Sequence, residues 1–282
     1  MQSFFPNFAA MEKELERFEK AFSAVMASDL APMDDMMRYV SAVRGKRLRP
    51  RLVFLSARLF GEVNDMTRHT ALFVELFHTA TLIHDDVVDV SDIRRGQASL
   101  NARFDSRSAV LAGDYLLAKA LSQLSEPSDH PILKEMLGVA MSMSEGELMQ
   151  SASHRDVPSV GDGLPLQPSA PHRDAMSVGY LEVIERKTAR LIRACCIGGA
   201  LSVHAPSDVI NKVGDFGLNL GLVFQMRDDI LDNDHTLLAQ QLLPKYLEKA
   251  LKALDALTPF VKDKDAQNAL RELTLFCAER ES

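Results

Sequence analysis

Leu76-Phe77-His78-Thr79-Ala80-Thr81-Leu82-Ile83-His84-Asp85-Asp86-Val87-Val88-Asp89 is the stretch whose reading decides the fold. Its apolar residues recur at three and four positions, the period of a helix packed on one side, and the run ends in three acids. On such a helix Asp85 and Asp89 lie one turn apart on the same face, with Asp86 about 100° round the axis. Two like charges stacked at i,i+4 weaken a helix, so the arrangement points to a cation between them. Mg²⁺ suits it, because that ion takes one or two carboxylates and fills its remaining positions with water and phosphate oxygen. Taken alone, three acids are also compatible with a solvated helix end.

The pattern recurs as Asp228-Asp229-Ile230-Leu231-Asp232, again after an apolar helical run, Gly217-Leu218-Asn219-Leu220-Gly221-Leu222-Val223-Phe224-Gln225. Two acid clusters on two apolar helices can face a common space, and their six carboxylates suit several Mg²⁺ ions around a polyanion such as a diphosphate. Cations that could hold it are also clustered. Arg44-Gly45-Lys46-Arg47-Leu48-Arg49-Pro50-Arg51 carries five cations in eight residues at a loop-to-helix junction, where free N–H groups and the helix dipole also favour anions. Arg94-Arg95-Gly96 lies just beyond the first acid cluster, Lys187-Thr188 interrupts an apolar segment, and Gln225 lies one turn before Asp229. Each of these is weak by itself.

The remainder of the 282 residues reads as all-α. Periodic stretches cover about 8–27, 31–43, 49–59, 66–90, 107–124, 131–151, 176–203, 207–232, 238–257 and 265–280, and no strand is required. Residues 153 to 173, with four prolines and two glycines, read as a loop excursion from one domain. With 46% apolar residues the chain can bury one sizeable core. Acids outnumber bases 39 to 32, for a net charge of -7, which argues against nucleic-acid binding. No apolar run approaches the roughly 18 residues of a membrane span, and the charged residues soon after Met1 do not form a signal peptide. Three cysteines, two of them adjacent, make no disulfide framework or metal spacing. A cytoplasmic protein is expected.

Taken together, Gly45-Lys46-Arg47-Leu48-Arg49-Pro50, Leu82 to Asp89, Arg94-Arg95-Gly96, Leu111-Ala112-Gly113-Asp114-Tyr115-Leu116-Leu117-Ala118, Glu185-Arg186-Lys187-Thr188-Ala189 and Phe224 to Asp232 resemble, in order and spacing, the trans-isoprenyl diphosphate synthases. The resemblance is to the medium- or long-chain, octaprenyl-diphosphate-synthase-like members and covers most of the chain. It implies a single-domain antiparallel helix bundle around a central cavity, the isoprenoid synthase fold, as a homodimer, and the condensation of isopentenyl diphosphate with an allylic diphosphate. By the same resemblance Lys46, Arg49, His78 and Arg95, with Arg47 close by, hold isopentenyl diphosphate, and Arg94, Lys187, Thr188 and Gln225 contact the allylic substrate. Lys187, Thr188 and Gln225 would also assist the chemistry. Asp85, Asp86 and Asp89 on one wall and Asp228, Asp229 and Asp232 on the other would bind about three Mg²⁺ ions once substrate is present. Small residues at Ala80 and Thr81, where family members with short products carry aromatic floors, predict a product of more than fifteen carbons, in the range of twenty to forty or above. Phe77 and Phe73, further down the helix, are read either as a later floor or as ordinary core.

The pattern breaks after Asp232. The family continues through a lid with two Gly-Lys pairs and a further Asp, whereas Asn233-Asp234-His235-Thr236 leads directly into Leu237-Leu238. Either the chain is shortened there or the sequence runs across a mobile segment that it leaves out, and a lid that orders only with ligand favours the second. A non-catalytic subunit of a heteromeric synthase and, more remotely, a terpene cyclase are the competing readings.

Overall fold

A computed structural model describes residues 9–43, 45–126, 130–154 and 173–280; most of the 153–173 excursion, and Arg44, lie outside them. The described residues form twelve α-helices: α1 Ala9–Met26, α2 Ala31–Ala42, α3 Leu48–Phe60, α4 Asp65–Val88, α5 Leu100–Arg103, α6 Ser106–Ser122, α7 His130–His154, α8 Arg173–Ile184, α9 Arg190–Ser202, α10 Ser207–Leu231, α11 Thr236–Asp255 and α12 Lys264–Glu279. Every helix expected from periodicity is present, with ends within a few residues.

α4 carries the first acid cluster and is fixed at its far end. Asn64 caps it, accepting from the Thr67 amide at 2.9 Å while Thr67 Oγ1 accepts from the Asn64 amide at 3.3 Å. Asn64 Nδ2 donates to the Ser202 carbonyl at 2.8 Å, and the Thr67 and Ser202 hydroxyls lie 2.7 Å apart, so the start of α4 is pinned to the end of α9. From there α4 runs through the core on Phe73, Val74, Leu76 and Ile83, all buried. α10 lies so close to the chain before α9 that a Cβ at Gly221 would sit 2.5 Å from Ala189 Cα.

Two local features differ from expectation, and a third shows how the chain passes the point where the family pattern breaks. A two-stranded antiparallel hairpin, β1 Ile93–Arg94 and β2 Gln97–Ala98, follows α4, so a strand is needed after all. Its two-residue turn is Arg95-Gly96, both with positive φ (52° and 78°), the twist a tight hairpin demands. Between α8 and α9 the helix is wound as a π-helix over Glu185–Ala189, with the Arg190 amide reaching back five residues to the Glu185 carbonyl. Such a bulge interrupts the regular ladder and is frequent where a helix serves a site. Thirdly, α10 passes to α11 through a closed turn in which the Asp234 amide donates to the Asp229 carbonyl at 2.8 Å, with Asn233 and His235 in the left-handed region. The family's lid has no counterpart among the described residues at this turn.

Candidate active site

A cavity of about 1300 Å³ is lined by the first turn of α3, one face of α4, the Arg94-Arg95 hairpin, α6, α7, the π segment, α10 and Arg280. From α4 it takes Phe73, Phe77, Thr81, Asp85 and Asp89, a stripe at intervals of four. The upper end of that stripe is acidic and the lower end apolar. Ala80 lies one position off it; the residue is fully buried in the core and does not line the cavity. The expected pair of small wall residues is therefore Thr81 alone, because a step of one residue turns a side chain about 100° away.

The two acid clusters are arranged alike. Asp85 and Asp89 line the cavity from α4, and Asp228 and Asp232 from α10, whereas Asp86 and Asp229 are turned into the protein. Asp86, 3% exposed, accepts from Arg94 Nε at 2.8 Å. Asp229 accepts from the Tyr180 hydroxyl and from Gln225 Nε2 at 2.8 Å. Burial and Asp229 both push the Tyr180 hydroxyl up, so it remains a donor. Each second aspartate thus anchors its helix end, and the outer pairs line the cavity, with Asp228 held there by Arg280. Removing the Tyr180 hydroxyl leaves Asp229 a buried acceptor short of one partner; Tyr180→Phe is expected to lose about 1–2 kcal/mol of stability, read by urea unfolding.

Asp85 has its carboxyl pushed up to about 6, first by burial, then by the facing Glu147 and by Asp89 against the opposing Lys187. Burial likewise raises Asp228. Burial is the first cause in both, Asp228 being raised although Arg280 pairs with it, and a divalent cation is a group that would favour the ionised forms. Among the described residues no three His, Cys, Asp or Glu side chains form a ready cage. That donor set fits Mg²⁺, which needs only one or two carboxylates and takes phosphate and water besides.

The same lining also carries basic residues. Lys46, Arg49, Arg94, Arg95 and His78 all border the cavity. Burial lowers Arg49, Arg95 and Lys46, and the Arg49 Nε is buried without a partner. Burial and the charges of Arg49, Arg95 and Arg94 drive His78 well below its ordinary value, so it is a neutral imidazole among guanidiniums. Arg47 is used differently: it donates to Glu19 and Glu75 at 2.8 Å each and lies over the Phe22 ring at 4.6 Å. Held at φ 55° before α3, it fixes the junction that presents Lys46 and Arg49. Lys187 Nζ pairs with Glu147 at 2.7 Å and Gln150 at 2.7 Å, and Thr188 Oγ1 donates to Gln225 Oε1 at 2.7 Å.

Four participants escape a reading of the sequence. Glu147, Gln150, Tyr180 and Arg280 stand outside every motif, and Arg280 meets Asp228 across 52 residues of chain. His84, inside the first motif, packs its ring where a Cβ on Gly113 would lie 2.2 Å from Nε2, so that glycine lets α6 close on α4.

The chain is similar to known proteins. The family model described as polyprenyl synthetase matches residues 31–237, ending just past the second acid cluster. The heptaprenyl diphosphate synthase component 2 of Geobacillus stearothermophilus is 35% identical over 230 residues, 80% of this chain and 63% of its own. The octaprenyl diphosphate synthase of Escherichia coli is 32% identical over 73% of this chain and 58% of its own, so the matched stretch spans about six-tenths of these relatives' length. The crystal structure of a Caulobacter crescentus polyprenyl synthase complexed with calcium and isoprenyl diphosphate superposes with a TM-score of 0.78 at 26% identity, covering 96% of each chain. That of the heptaprenyl diphosphate synthase from Staphylococcus aureus, at 22% identity, shares the fold with a TM-score of 0.80 over 96% of this chain and 99% of its own. On the family match, the identity to these relatives and the twin acid clusters, the chain belongs to the polyprenyl synthetase family.

Proposed function

We propose that the protein is a trans-prenyltransferase that condenses isopentenyl diphosphate with an allylic diphosphate to give a polyprenyl diphosphate of more than fifteen carbons, in the range of twenty to forty or above. The observation that carries this reading is the single cavity in which two i,i+4 aspartate pairs share the lining with Lys46, Arg49, Arg94, Arg95 and Lys187 above an apolar lower half. Asp85 and Asp89, with Asp228 and Asp232, would hold Mg²⁺, which when bound supplies positive charge to the departing diphosphate. Arg94 and Lys187 neutralise the same leaving group, and the Thr188 and Gln225 oxygens stabilise the allylic cation it leaves behind. Lys46, Arg49, His78 and Arg95 hold the second diphosphate so that its alkene attacks that cation. The proton then lost goes to the released diphosphate. Leu117, Met136 and Met143 keep water from the cation and receive the growing chain.

Incubation with Mg²⁺, labelled isopentenyl diphosphate and farnesyl diphosphate tests the reading. Label is expected in longer allylic products and to vanish with a chelator; no incorporation at any starter length would overturn it. That outcome would favour a non-catalytic subunit of a heteromeric synthase, a second reading suggested by the "component 2" in one relative's name.

The same reading includes a homodimer. Val110, Leu111 and Leu121 on α6, with Leu137, Met141 and Leu148 on α7, expose an apolar face beside the cavity that a second copy would cover. Light scattering after size exclusion is expected to give twice the chain mass. A cytoplasmic location is supported by the free, buried Cys195, Cys196 and Cys277, and no helix among the described residues is long and apolar enough to cross a membrane. We read the chain as one synthase domain whose sequence leaves out a lid after Asp232, a reading that a purified natural protein of 31.2 kDa would overturn.

A further inference from the structure

Arg280, the C-terminal cap of α12, reaches the cavity from the far end of the chain. Its side chain is only 5% exposed and lies over the Phe224 ring at 4.3 Å. Its Nη2 donates to Asp228 Oδ1 and, at 3.4 Å, to the Phe224 carbonyl, while its Nε is buried without a partner. Its own carbonyl accepts from Arg227 Nε at 2.6 Å, which ties the end of α12 to α10. Lys46 borders the same part of the cavity, and after burial the charge of Arg280 is the main influence lowering it.

Asp228 therefore has two claimants. If its oxygens turn to a divalent cation, the guanidinium loses its counter-ion where water cannot replace it, and an uncompensated buried charge is costly. An anion at Lys46 and Arg49 would relieve both effects. We propose that Arg280 is a diphosphate-binding residue held ready on Asp228, exchanging that carboxylate for diphosphate oxygen when metal occupies the aspartate pair. Metal and diphosphate binding are then coupled through one side chain. The inference rests on the function proposed above and adds a residue and a linkage to it.

Calorimetric titration of the full chain with MgCl₂ alone, inorganic diphosphate alone and diphosphate in excess Mg²⁺ tests it without turnover. Each ligand is expected to tighten the other, and by reciprocity to the same degree. Arg280→Gln removes the competing charge, so Mg²⁺ alone should bind about tenfold tighter while diphosphate in Mg²⁺ binds about tenfold weaker. Opposite signs are the signature, since a merely structural loss would weaken both. Arg280→Lys keeps the charge but not the fork, so Mg²⁺ affinity should stay near that of the unmodified chain and diphosphate affinity should fall several-fold. Both affinities unchanged, or both reduced together, in the variant that folds overturns the inference. If the unmodified chain binds no diphosphate in Mg²⁺, the reading of the whole site fails, and this inference with it.

Discussion

Asp85→Asn is expected to lower kcat by about 10² to 10³ while leaving the fold intact. The asparagine fits the same space, removes one negative charge from a lining that holds Asp85, Asp89 and the facing Glu147, and deprives a cation of a principal ligand. Because the carboxyl of Asp85 is pushed up to about 6, chiefly by burial, its ionised form is disfavoured in the folded chain relative to the unfolded one. The sign of the pH effect follows. Below its unfolded value near 3.8 the group is protonated in both states and costs nothing, and as pH rises through about 6 the folded chain loses stability that the neutral asparagine does not lose. Without metal, Asp85→Asn should therefore be more stable than the unmodified chain at pH 8, and the advantage should shrink towards pH 4. Mg²⁺ should raise the melting temperature of the unmodified chain more at pH 8 than at pH 5, because protons compete for the same oxygen. Activity of Asp85→Asn within threefold of the unmodified chain, or a melting temperature indifferent to Mg²⁺ at pH 8, would remove Asp85 from the metal site.

Why the acids and bases were legible from the sequence, and other parts of the site were not, follows from the range of the interactions. Asp85 and Asp89, or Asp228 and Asp232, share a face because helix geometry acts over four residues. The segment after Gly45 reads as an anion site because its cations are contiguous. By contrast, Asp86 and Asp229 look like ligands in the sequence, since no local rule says that Arg94 and Tyr180 take them away. Arg47 looks equivalent to Lys46 and Arg49, yet Glu19 and Glu75, each 28 residues away, claim it. The Arg95-Gly96 turn was available in principle, since two residues with positive φ between short extended pairs make a tight hairpin. Its strands are only two residues long, too short to show a period of two. The π-helical Glu185–Ala189 leaves no trace in apolar periodicity, because one extra residue per turn is within the irregularity of any natural helix.

The chain-length wall is where that one-residue resolution matters, and it yields the second large effect. Thr81 is half-buried, faces the cavity and lies about 6 Å along α4 from Asp85, one turn towards the apolar end of the stripe. Phe77 and Phe73 follow at about 12 and 18 Å, their rings stacked at 5.8 Å with 9° between planes. A chain growing down this stripe meets a hydroxyl and methyl first and aromatic rings only later. Thr81→Phe places a ring one turn below the aspartates, so the dominant product should shorten by at least one five-carbon unit. Phe77→Ala removes the next obstruction and should lengthen the product, at a stability cost of about 3–5 kcal/mol because the ring also packs in the core. Ala80→Phe separates the two placements. The alanine is fully buried off the cavity, so the larger ring should overpack the core, costing about 1–3 kcal/mol, and leave product length unchanged. Reversed-phase chromatography of dephosphorylated products reads all three variants. A product shortened by Ala80→Phe and unchanged by Thr81→Phe would mean that the growing chain follows a different face of α4 from the one that begins at Asp85.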